Sequence, residues 1–405
     1  MIRYQADWVL PIAGPPIRRG ALDVERGRVV RVGPAGAGGT PVACRELGRQ
    51  VILPSLVNAH THLELSGLDG VVPPATSMSA WVETLFERRA VGGPPDPAAI
   101  RAAVTAIRDS GTGLVGDIGN TLAAVPLLRG SPLSGRVFRE VVGFPEALGT
   151  AAVEAAVAEV AAVPDTGRVR PGLAAHAPYS VGPTAFRALG RAIGDPAAPR
   201  SVHLGESPEE LEFLSTGGGP WRALLERLGR WDPAWAVPGC GPVAYLERLG
   251  WLVPGLLAVH GVQLTDVELA RLREAGATVV TCPRSNRWTG VGDPPVARFD
   301  RSGVRLAVGT DSLASAPDLN LFSELARLRE LAPGVRPRRW LECATREGAR
   351  ALGFGAELGE LAPGRRASAI AVRLPAGIDD VEEYLVGGIR PDAVTWLDPD
   401  DGPAP

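Results

Sequence analysis

Four histidines and an aspartate occupy positions from which they could bind one metal ion. The chain has five histidines, and each falls near the end of an apolar run. His60 and His62 are two residues apart on an extended segment, so both side chains point the same way. His203, His260 and Asp311 end three later apolar runs. Imidazole and carboxylate donors suit zinc or ferrous iron, and a water molecule bound there would have a lowered pKa.

A (β/α)8 barrel would position these side chains together. Apolar β-type segments alternate with amphipathic helical patterns, which indicates βα units and a parallel sheet. The candidate strand segments are 51–64, 111–119, 136–144, 170–180, 200–206, 256–263, 277–286 and 305–312. We therefore expect an α/β fold, a TIM barrel, whose strand C-termini converge on one face where such enzymes place their active sites. A lone buried histidine is more often a core residue, but the whole set at strand ends favours a metal site.

Both ends of the chain depart from this alternation and consist of short strands and turns. We expect residues 1–52 and 357–405 to form one small β-sandwich domain, beside a catalytic barrel of residues 53–356. Residues 215–242 form a long insertion after the fifth strand, rich in Gly, Pro and Trp. An ordered loop over the active-site mouth is expected there.

Composition excludes several classes of function. The 405 residues carry a formal net charge of −3, so neither nucleic acid nor an anionic membrane is expected as a partner. Membrane-spanning and signal-peptide patterns are absent, so we expect a cytoplasmic enzyme acting on a small molecule. The four cysteines are dispersed, which argues against a disulfide framework or a thiolate zinc site. No lysine is present, so none can be carbamylated to bridge two metals.

A series of motifs resembles the amidohydrolase superfamily. VNAHTHLE, HAPYS, HLGES, AVHGVQLTDVEL, CPRSN and GTDSLAS have the order and spacing of its cytosine, guanine and S-adenosylhomocysteine deaminase and triazine hydrolase branch. The resemblance covers nearly the whole chain. One departure is Pro54-Ser55-Leu56, where Pro-Gly is usual, and it affects a turn rather than the metal.

The resemblance implies a role for each residue of the cluster. A single Zn²⁺ or Fe²⁺ would be bound by His60, His62, His203 and Asp311. Glu206 would move a proton between the attacking water and a ring nitrogen, although an acid at a helix N-terminus is the alternative interpretation. His260 would stabilise the tetrahedral intermediate, and Asp311 would also accept a proton. The implied reaction is hydrolytic deamination of a ring carbon.

Candidate substrate contacts come partly from residue chemistry and partly from the resemblance. Trp81, after the first strand, could stack on a ring. His176 has the position that contacts the nucleoside sugar in the similar deaminases. Those enzymes bind ribose with an acid shortly after the tryptophan, where this chain has Arg88-Arg89-Ala90 and only Glu87 could substitute.

The arginine pair Arg88-Arg89, in the expected pocket wall, suggests a substrate carboxylate, because a guanidinium binds a carboxylate through two hydrogen bonds. Three other arginines could serve similarly. Arg139 ends the third strand, and Arg284 and Arg287 flank Ser285-Asn286, although any one of these is more often a solvated surface arginine. The predicted substrate-binding residues are Trp81, Arg88, Arg89, Arg139, His176, Ser285 and Asn286.

The runs HLGESPEELEFL, GGGPW and CPRSN through GTDSLASAPDLNLFSEL are similar to those of bacterial aminodeoxyfutalosine deaminases. That resemblance implies 6-aminodeoxyfutalosine, a carboxylated adenine nucleoside of menaquinone biosynthesis, as the substrate. Adenosine, methylthioadenosine and S-adenosylhomocysteine are alternatives. Hydrolysis of a triazine, amide or ureide is disfavoured by Glu206 and by the missing lysine. A barrel with a structural metal is disfavoured because such sites are usually closed by four ligands, often thiolates, whereas a histidine-rich mouth with Glu206 and His260 beyond the ligands fits catalysis better. By analogy with the family, a homodimer is a candidate assembly.

Overall fold

The computed structural model describes residues 1–37, 39 and 43–397 of the chain. The strands are β1 (Ile2–Val9), β2 (Ile17–Glu25), β3 (Arg28–Pro34), β4 (Ala43–Glu46), β5 (Gln50–Pro54), β6 (Leu56–Thr61), β7 (Thr112–Gly119), β8 (Ser134–Val141), β9 (Val169–Ala175), β10 (Arg200–Leu204), β11 (Leu256–His260), β12 (Thr278–Thr281), β13 (Arg305–Val308), β14 (Ala369–Arg373) and β15 (Val394–Trp396). The α-helices are α1 (Met78–Gly92), α2 (Pro97–Asp109), α3 (Ala124–Arg129), α4 (Glu146–Ala161), α5 (Pro183–Ile193), α6 (Pro208–Thr216), α7 (Gly219–Arg227), α8 (Pro242–Arg248), α9 (Asp266–Glu274), α10 (Pro283–Trp288), α11 (Val296–Ser302), α12 (Leu321–Leu331), α13 (Pro337–Glu342), α14 (Gly348–Ala351) and α15 (Val381–Val386). Among the described residues, no helix is both long enough and apolar enough to cross a bilayer.

Strands β6 to β13 form the barrel that the alternating pattern predicts. They make two parallel four-stranded sheets, β6-β7-β8-β9 and β10-β11-β12-β13. Across the β9–β10 seam, the His203 amide donates to the His176 carbonyl at 2.9 Å. At the β13–β6 seam, the Thr310 amide donates to the His60 carbonyl at 3.1 Å. The (β/α)8 barrel with an additional β domain is therefore confirmed, and residues at the predicted site close both of its seams.

The barrel strands are apolar because both of their faces are covered. Every residue of β6, β7, β10, β11 and β12 is buried, as expected when helices pack outside and side chains fill the interior. Gly116 of β7 permits one of the closest approaches, since a Cβ there would lie 2.5 Å from the Ala59 carbonyl oxygen. Helix α9 starts with a capping box between Thr265 and Glu268.

The two chain ends share one seven-stranded sheet beside the barrel. Its order is β15-β14-β5-β1-β2-β3, with β4 against β1, and β14 pairs antiparallel with β5. The predicted strand 51–64 is divided, because β5 ends in this sheet at Pro54 and β6 begins in the barrel at Leu56. The domain limits 1–52 and 357–405 remain a prediction, and within them residues 38, 40–42 and 398–405 lie outside the described residues.

Asn58 links the first and last barrel strands. Its side chain is fully buried, its Nδ2 donates to Thr310 Oγ1 at 2.7 Å, and its Oδ1 accepts from the Thr310 amide at 3.1 Å. Substitution Asn58→Ala removes both of these hydrogen bonds, while the Thr310 amide and Oγ1 keep their bonds to the carbonyls of His60 and Asp311. We expect the free energy of unfolding to fall by about 1–3 kcal/mol. Urea denaturation followed by circular dichroism measures this change.

A double-mutant cycle with Thr310→Val supplies the control for Asn58→Ala. Because both substitutions remove the same side-chain hydrogen bond, the double variant should lose less stability than the sum of the single losses. Strictly additive losses would contradict the linkage between the two strands.

Candidate metal centre and substrate cavity

Three imidazoles meet at the C-terminal end of the barrel. His60 lies on β6, His62 follows that strand, and His203 lies on β10. The Nε2 atoms of His60 and His62 are 3.1 Å apart, and ligand atoms of all three residues lie within 4.8 Å of one another. Asp311, shortly after β13, places Oδ1 3.6 Å from His62 Nε2. The structure thus brings the four predicted metal ligands together.

The surroundings keep these imidazoles neutral. Burial and the neighbouring imidazoles hold the pKa of His60 well below its ordinary value, and burial lowers the pKa of His62 to about 3. His203 donates from Nδ1 to the His176 carbonyl at 2.8 Å, which leaves its Nε2 as the free nitrogen. Neutral imidazoles offer the lone pairs that a divalent metal requires.

The donor set fits a metal ion. Two ring nitrogens 3.1 Å apart, with a carboxylate oxygen 3.6 Å from one of them, leave buried acceptors that a shared cation would satisfy. Three nitrogens and one carboxylate suit zinc or ferrous iron and leave a position for a further ligand.

Asp311 and His260 have strained backbones. Their φ angles are 60° and 74°, in the left-handed region that side chains with a Cβ rarely adopt, at a cost of about 1–3 kcal/mol each. Thr61 Oγ1 donates to the Asp311 carbonyl at 2.9 Å, and Ser285 Oγ donates to Asp311 Oδ2 at 2.6 Å. These contacts hold the carboxylate toward the imidazoles.

Glu206 and His260 lie beside the ligand cluster. His260 Nε2 is 3.4 Å from Glu206 Oε1, and Asn286 donates from Nδ2 to His260 Nδ1 at 2.9 Å. Because Nδ1 accepts, the ring proton of the neutral imidazole is on Nε2. Burial, followed by the charge of Asp311, raises the pKa of Glu206 well above its usual value. A carboxyl in this environment is suited to take up and release a proton.

Residues next to Glu206, rather than Glu206 itself, bind the free amides at the N-terminus of helix α6. The Ser207 side chain caps α6 by accepting from the Glu210 amide at 3.3 Å. The Glu210 carboxylate accepts from the amides of Gly205 and Glu206 at 2.9 Å and 3.1 Å. The Glu206 carboxylate is therefore not used for capping, and it lines a cavity.

That cavity, of about 630 Å³, includes His62, His203, Glu206, His260 and Asp311 in its wall. One face of α1 contributes Met78, Trp81, Val82, Leu85, Phe86 and Arg89, which recur at helical spacing. The long insertion contributes Trp221, Leu224, Leu225, Leu228 and Arg230. The insertion thus forms part of the cavity wall, and it contains helix α7 where a loop was expected.

Four of the predicted substrate-binding residues line the cavity, namely Trp81, Arg89, Arg139 and His176. Arg88 lies off the lining face of α1 and is exposed, as is Glu87. Ser285 and Asn286 are fully buried behind the wall, where they contact Asp311 and His260. Arg284 is bound by Asp318 and Glu324, and Arg287 is exposed.

Sequence reasoning missed Glu140 of β8, which lines the cavity. Its Oε2 accepts from Asn120 Nδ2 at 2.8 Å, and its Oε1 lies 3.8 Å from His203 Nδ1. Neighbouring strand residues point to opposite faces. Arg139 therefore borders the cavity but directs its guanidinium outward to Glu159, with Nε and Oε2 2.6 Å apart, while Glu140 turns inward. The alternation of side chains along β8 was the sequence signal that could have identified Glu140. Another missed feature is the stacked pair Tyr179 and Trp221, with ring centroids 4.2 Å apart.

Comparisons with known proteins agree with this fold. The family model described as Amidohydrolase family matches residues 51–395. The aminodeoxyfutalosine deaminase of Deinococcus radiodurans is 35% identical over 328 residues, 77% of this chain and 76% of that protein. The Helicobacter pylori aminofutalosine deaminase, solved in complex with methylthio-coformycin, is 26% identical with a TM-score of 0.84 over 95% of each chain. A Xanthomonas campestris adenosine deaminase, solved with bound zinc, is 25% identical with a TM-score of 0.80, covering 97% of this chain and 90% of that one.

Substitution of His203 tests the ligand assignment. Changing a residue that only supports a ligand costs about 10–100-fold in metal affinity, so His203→Asn should weaken zinc binding by more than about 100-fold. Elemental analysis after dialysis against a zinc-buffered chelator measures the bound metal.

The matched control is His176→Asn, which changes an imidazole beside the cluster and keeps the backbone carbonyl that holds His203. It should retain zinc as the unsubstituted protein does. Full zinc occupancy in His203→Asn would refute the assignment.

Proposed function

The chain belongs to the amidohydrolase family, and from this premise we propose that it hydrolytically deaminates an adenine nucleoside, with 6-aminodeoxyfutalosine as the substrate. It is a hydrolase of carbon–nitrogen bonds. The observation that carries the proposal is the Glu206–His260 pair, with Oε1 and Nε2 3.4 Å apart, beside three imidazoles and Asp311. An acid–base group and a hydrogen-bond donor thus flank the same point.

A single divalent metal would be held by His60, His62, His203 and Asp311. When bound, it supplies Lewis-acid chemistry that lowers the pKa of a water molecule toward neutrality. Zinc is our choice over iron, because a zinc-bound relative shares this fold. All other steps are assigned to side chains of the chain itself.

Glu206 moves a proton in the proposed reaction. The water oxygen bonds to the ring carbon that carries the amino group, and Glu206 passes a proton from the water to the adjacent ring nitrogen. Asp311, oriented by Ser285, takes the second proton of the water. The carbon–nitrogen bond then breaks, and this second proton leaves with ammonia.

His260 stabilises the negative charge that develops on the attacking oxygen. Its Nε2–H is the available donor because Asn286 occupies Nδ1. A donor fixed in advance at this position avoids reorganisation during the reaction, which is the main source of such stabilisation.

The wall of the cavity supports a nucleoside. Trp81 and the stacked Tyr179–Trp221 pair offer aromatic surfaces for a purine. His176 and Glu140, both beside His203, are assigned to the sugar hydroxyls. Glu140 would thereby replace the acid that the similar deaminases carry after their tryptophan, since Glu87 is exposed.

The direct test is ammonia release by the zinc-loaded protein. We expect the highest kcat/KM on 6-aminodeoxyfutalosine, with lower values on adenosine, methylthioadenosine and S-adenosylhomocysteine. A coupled glutamate dehydrogenase assay measures the ammonia. Preference for another adenine nucleoside would overturn the substrate while keeping the reaction, whereas absence of release from all four would overturn the deaminase proposal.

Substitution Glu206→Gln tests the proton transfer. The amide keeps the shape of the side chain but cannot carry a proton, so kcat should fall by about 10²–10⁴-fold with bound zinc unchanged. Glu209→Gln is the control, because that carboxylate contacts Ser79 Oγ, at 3.4 Å, rather than the cluster. Equal turnover in the two variants would sink the role of Glu206.

A further inference from the structure

A short loop between β10 and α6 carries Glu206 into the cavity wall. The loop consists of residues 205–207. Gly205 has a φ of 59°, in the left-handed region that glycine adopts without strain, and a Cβ there would lie 2.6 Å from Leu264 Cδ2. The direction in which the Glu206 side chain leaves the backbone therefore depends on this turn.

The carboxyl group of Glu206 has few direct restraints. Its Oε1 lies 3.4 Å from His260 Nε2, and among the described residues its buried Oε2 has no hydrogen-bond partner. A side chain that transfers a proton at a fixed point needs a fixed backbone when its own contacts are few. The contacts of the Gly205 and Glu206 backbone are therefore the ones that can position this carboxyl group.

Glu210, in the first turn of α6, holds this backbone with both of its carboxylate oxygens. Oε1 accepts from the Gly205 amide at 2.9 Å, and Oε2 accepts from the Glu206 amide at 3.1 Å. The Glu210 side chain is fully buried, and burial raises the pKa of its carboxyl to about 7, although these two amides lower it. Because a buried carboxylate is costly without partners, the two backbone donors are what stabilise it in this place.

Ordinary helix capping does not explain these two hydrogen bonds. In a capping box, the glutamate three residues after the cap accepts from the amide of the cap residue itself, as Glu268 does from Thr265 at 3.0 Å in α9. In α6 the cap is Ser207, and the Glu210 carboxylate instead reaches the amides of the two residues before it. The side chain therefore binds the loop that carries Glu206 rather than closing the end of the helix.

We propose that Glu210 is a positioning residue, whose two hydrogen bonds to the loop hold the Glu206 carboxyl group beside His260. Glu210 does not line the cavity, so it acts on the reaction only through Glu206. This inference rests on the proposed deaminase function and adds to it the contact that fixes the proton-transferring group.

Substitution Glu210→Gln tests this role. The amide keeps the size of the side chain but offers one oxygen and one NH2 group to two backbone donors, so one of the two hydrogen bonds is lost. Since a displacement of about 1 Å can cost about 100-fold in rate, kcat on the best adenine nucleoside should fall by about 10–100-fold. KM should change by less than about twofold, because Glu210 does not line the cavity. Steady-state ammonia release by the zinc-loaded protein measures both constants.

A double-mutant cycle with Glu206→Gln separates positioning from general damage. If Glu210 acts through Glu206, its substitution should cost less than about twofold in kcat once residue 206 can no longer carry a proton. A loss of stability or of metal would instead lower kcat by the same factor in both backgrounds. Equal losses in the two backgrounds would overturn the proposal.

The matched control is Glu209→Gln, which removes a carboxylate from the same helical turn. That carboxylate contacts Ser79 Oγ, at 3.4 Å, rather than the amides of the loop. Its substitution should therefore leave kcat unchanged.

A second readout needs no substrate. Hydrogen exchange, followed by mass spectrometry at one pH, reports on the peptide that contains the amides of Gly205 and Glu206. Exchange should be faster in Glu210→Gln and unchanged in Glu209→Gln, since an amide without its acceptor opens more readily. Glu210→Asp keeps the charge but is one methylene shorter, so it should show the same losses and replaces Glu210→Gln should that variant fail to fold.

The outcomes separate this inference from the deaminase proposal. A kcat for Glu210→Gln equal to that of Glu209→Gln, or equal exchange in both variants, would overturn the positioning role and leave the deaminase intact. If the unsubstituted protein released no ammonia from any adenine nucleoside, the deaminase and the role of Glu210 in its reaction would both fall. The exchange comparison would then still show whether Glu210 holds the loop.

Discussion

The hydrogen bonds between the first and last barrel strands determine both the closure of the barrel and the position of the candidate metal ligands. The His60 carbonyl accepts from the amides of Thr310 and Asp311, each at 3.1 Å. Thr61 Oγ1 donates a hydrogen bond to the Asp311 carbonyl, and the two residues are 250 positions apart in the chain. The contacts that join the first and last strands therefore also hold His60 and Asp311 in place. A change in the closure of the barrel would displace the site.

The strands of the barrel explain why unfavourable local features persist. Left-handed backbones at His260 and Asp311 and a buried, unpartnered carboxylate oxygen on Glu206 are each costly without compensation. Rigid strands on both sides prevent them from relaxing. A bound cation would offset part of this cost, because it would attract the Asp311 and Glu206 carboxylates and use the imidazole lone pairs.

The sequence predicts the site residues that lie at the ends of barrel strands. His60, His62, His203 and Asp311 end apolar runs, and parallel strands bring such ends together. The sequence did not predict which of two adjacent residues faces the cavity. Arg139 and Glu140 differ by one residue on a strand, and Arg88 and Arg89 by one residue on a helix, so a small rotation exchanges their roles. Pro54 divides one apolar run between two sheets, which is a consequence of tertiary pairing with β14.

The separation of charge within the cavity gives the proposed substrate one direction of entry. Glu140, Glu206 and Asp311 are buried in the cavity wall, whereas Arg89 is partly buried and Arg230 is exposed. The arginines attract a carboxylate at one end of the nucleoside, so its neutral base is the end that reaches the metal centre. Because the buried cavity screens charges less than bulk water does, the attraction acts at longer range, before the substrate makes close contacts. Orientation and substrate choice then follow from the same charges, and the aromatic wall needs only to recognise a flat ring.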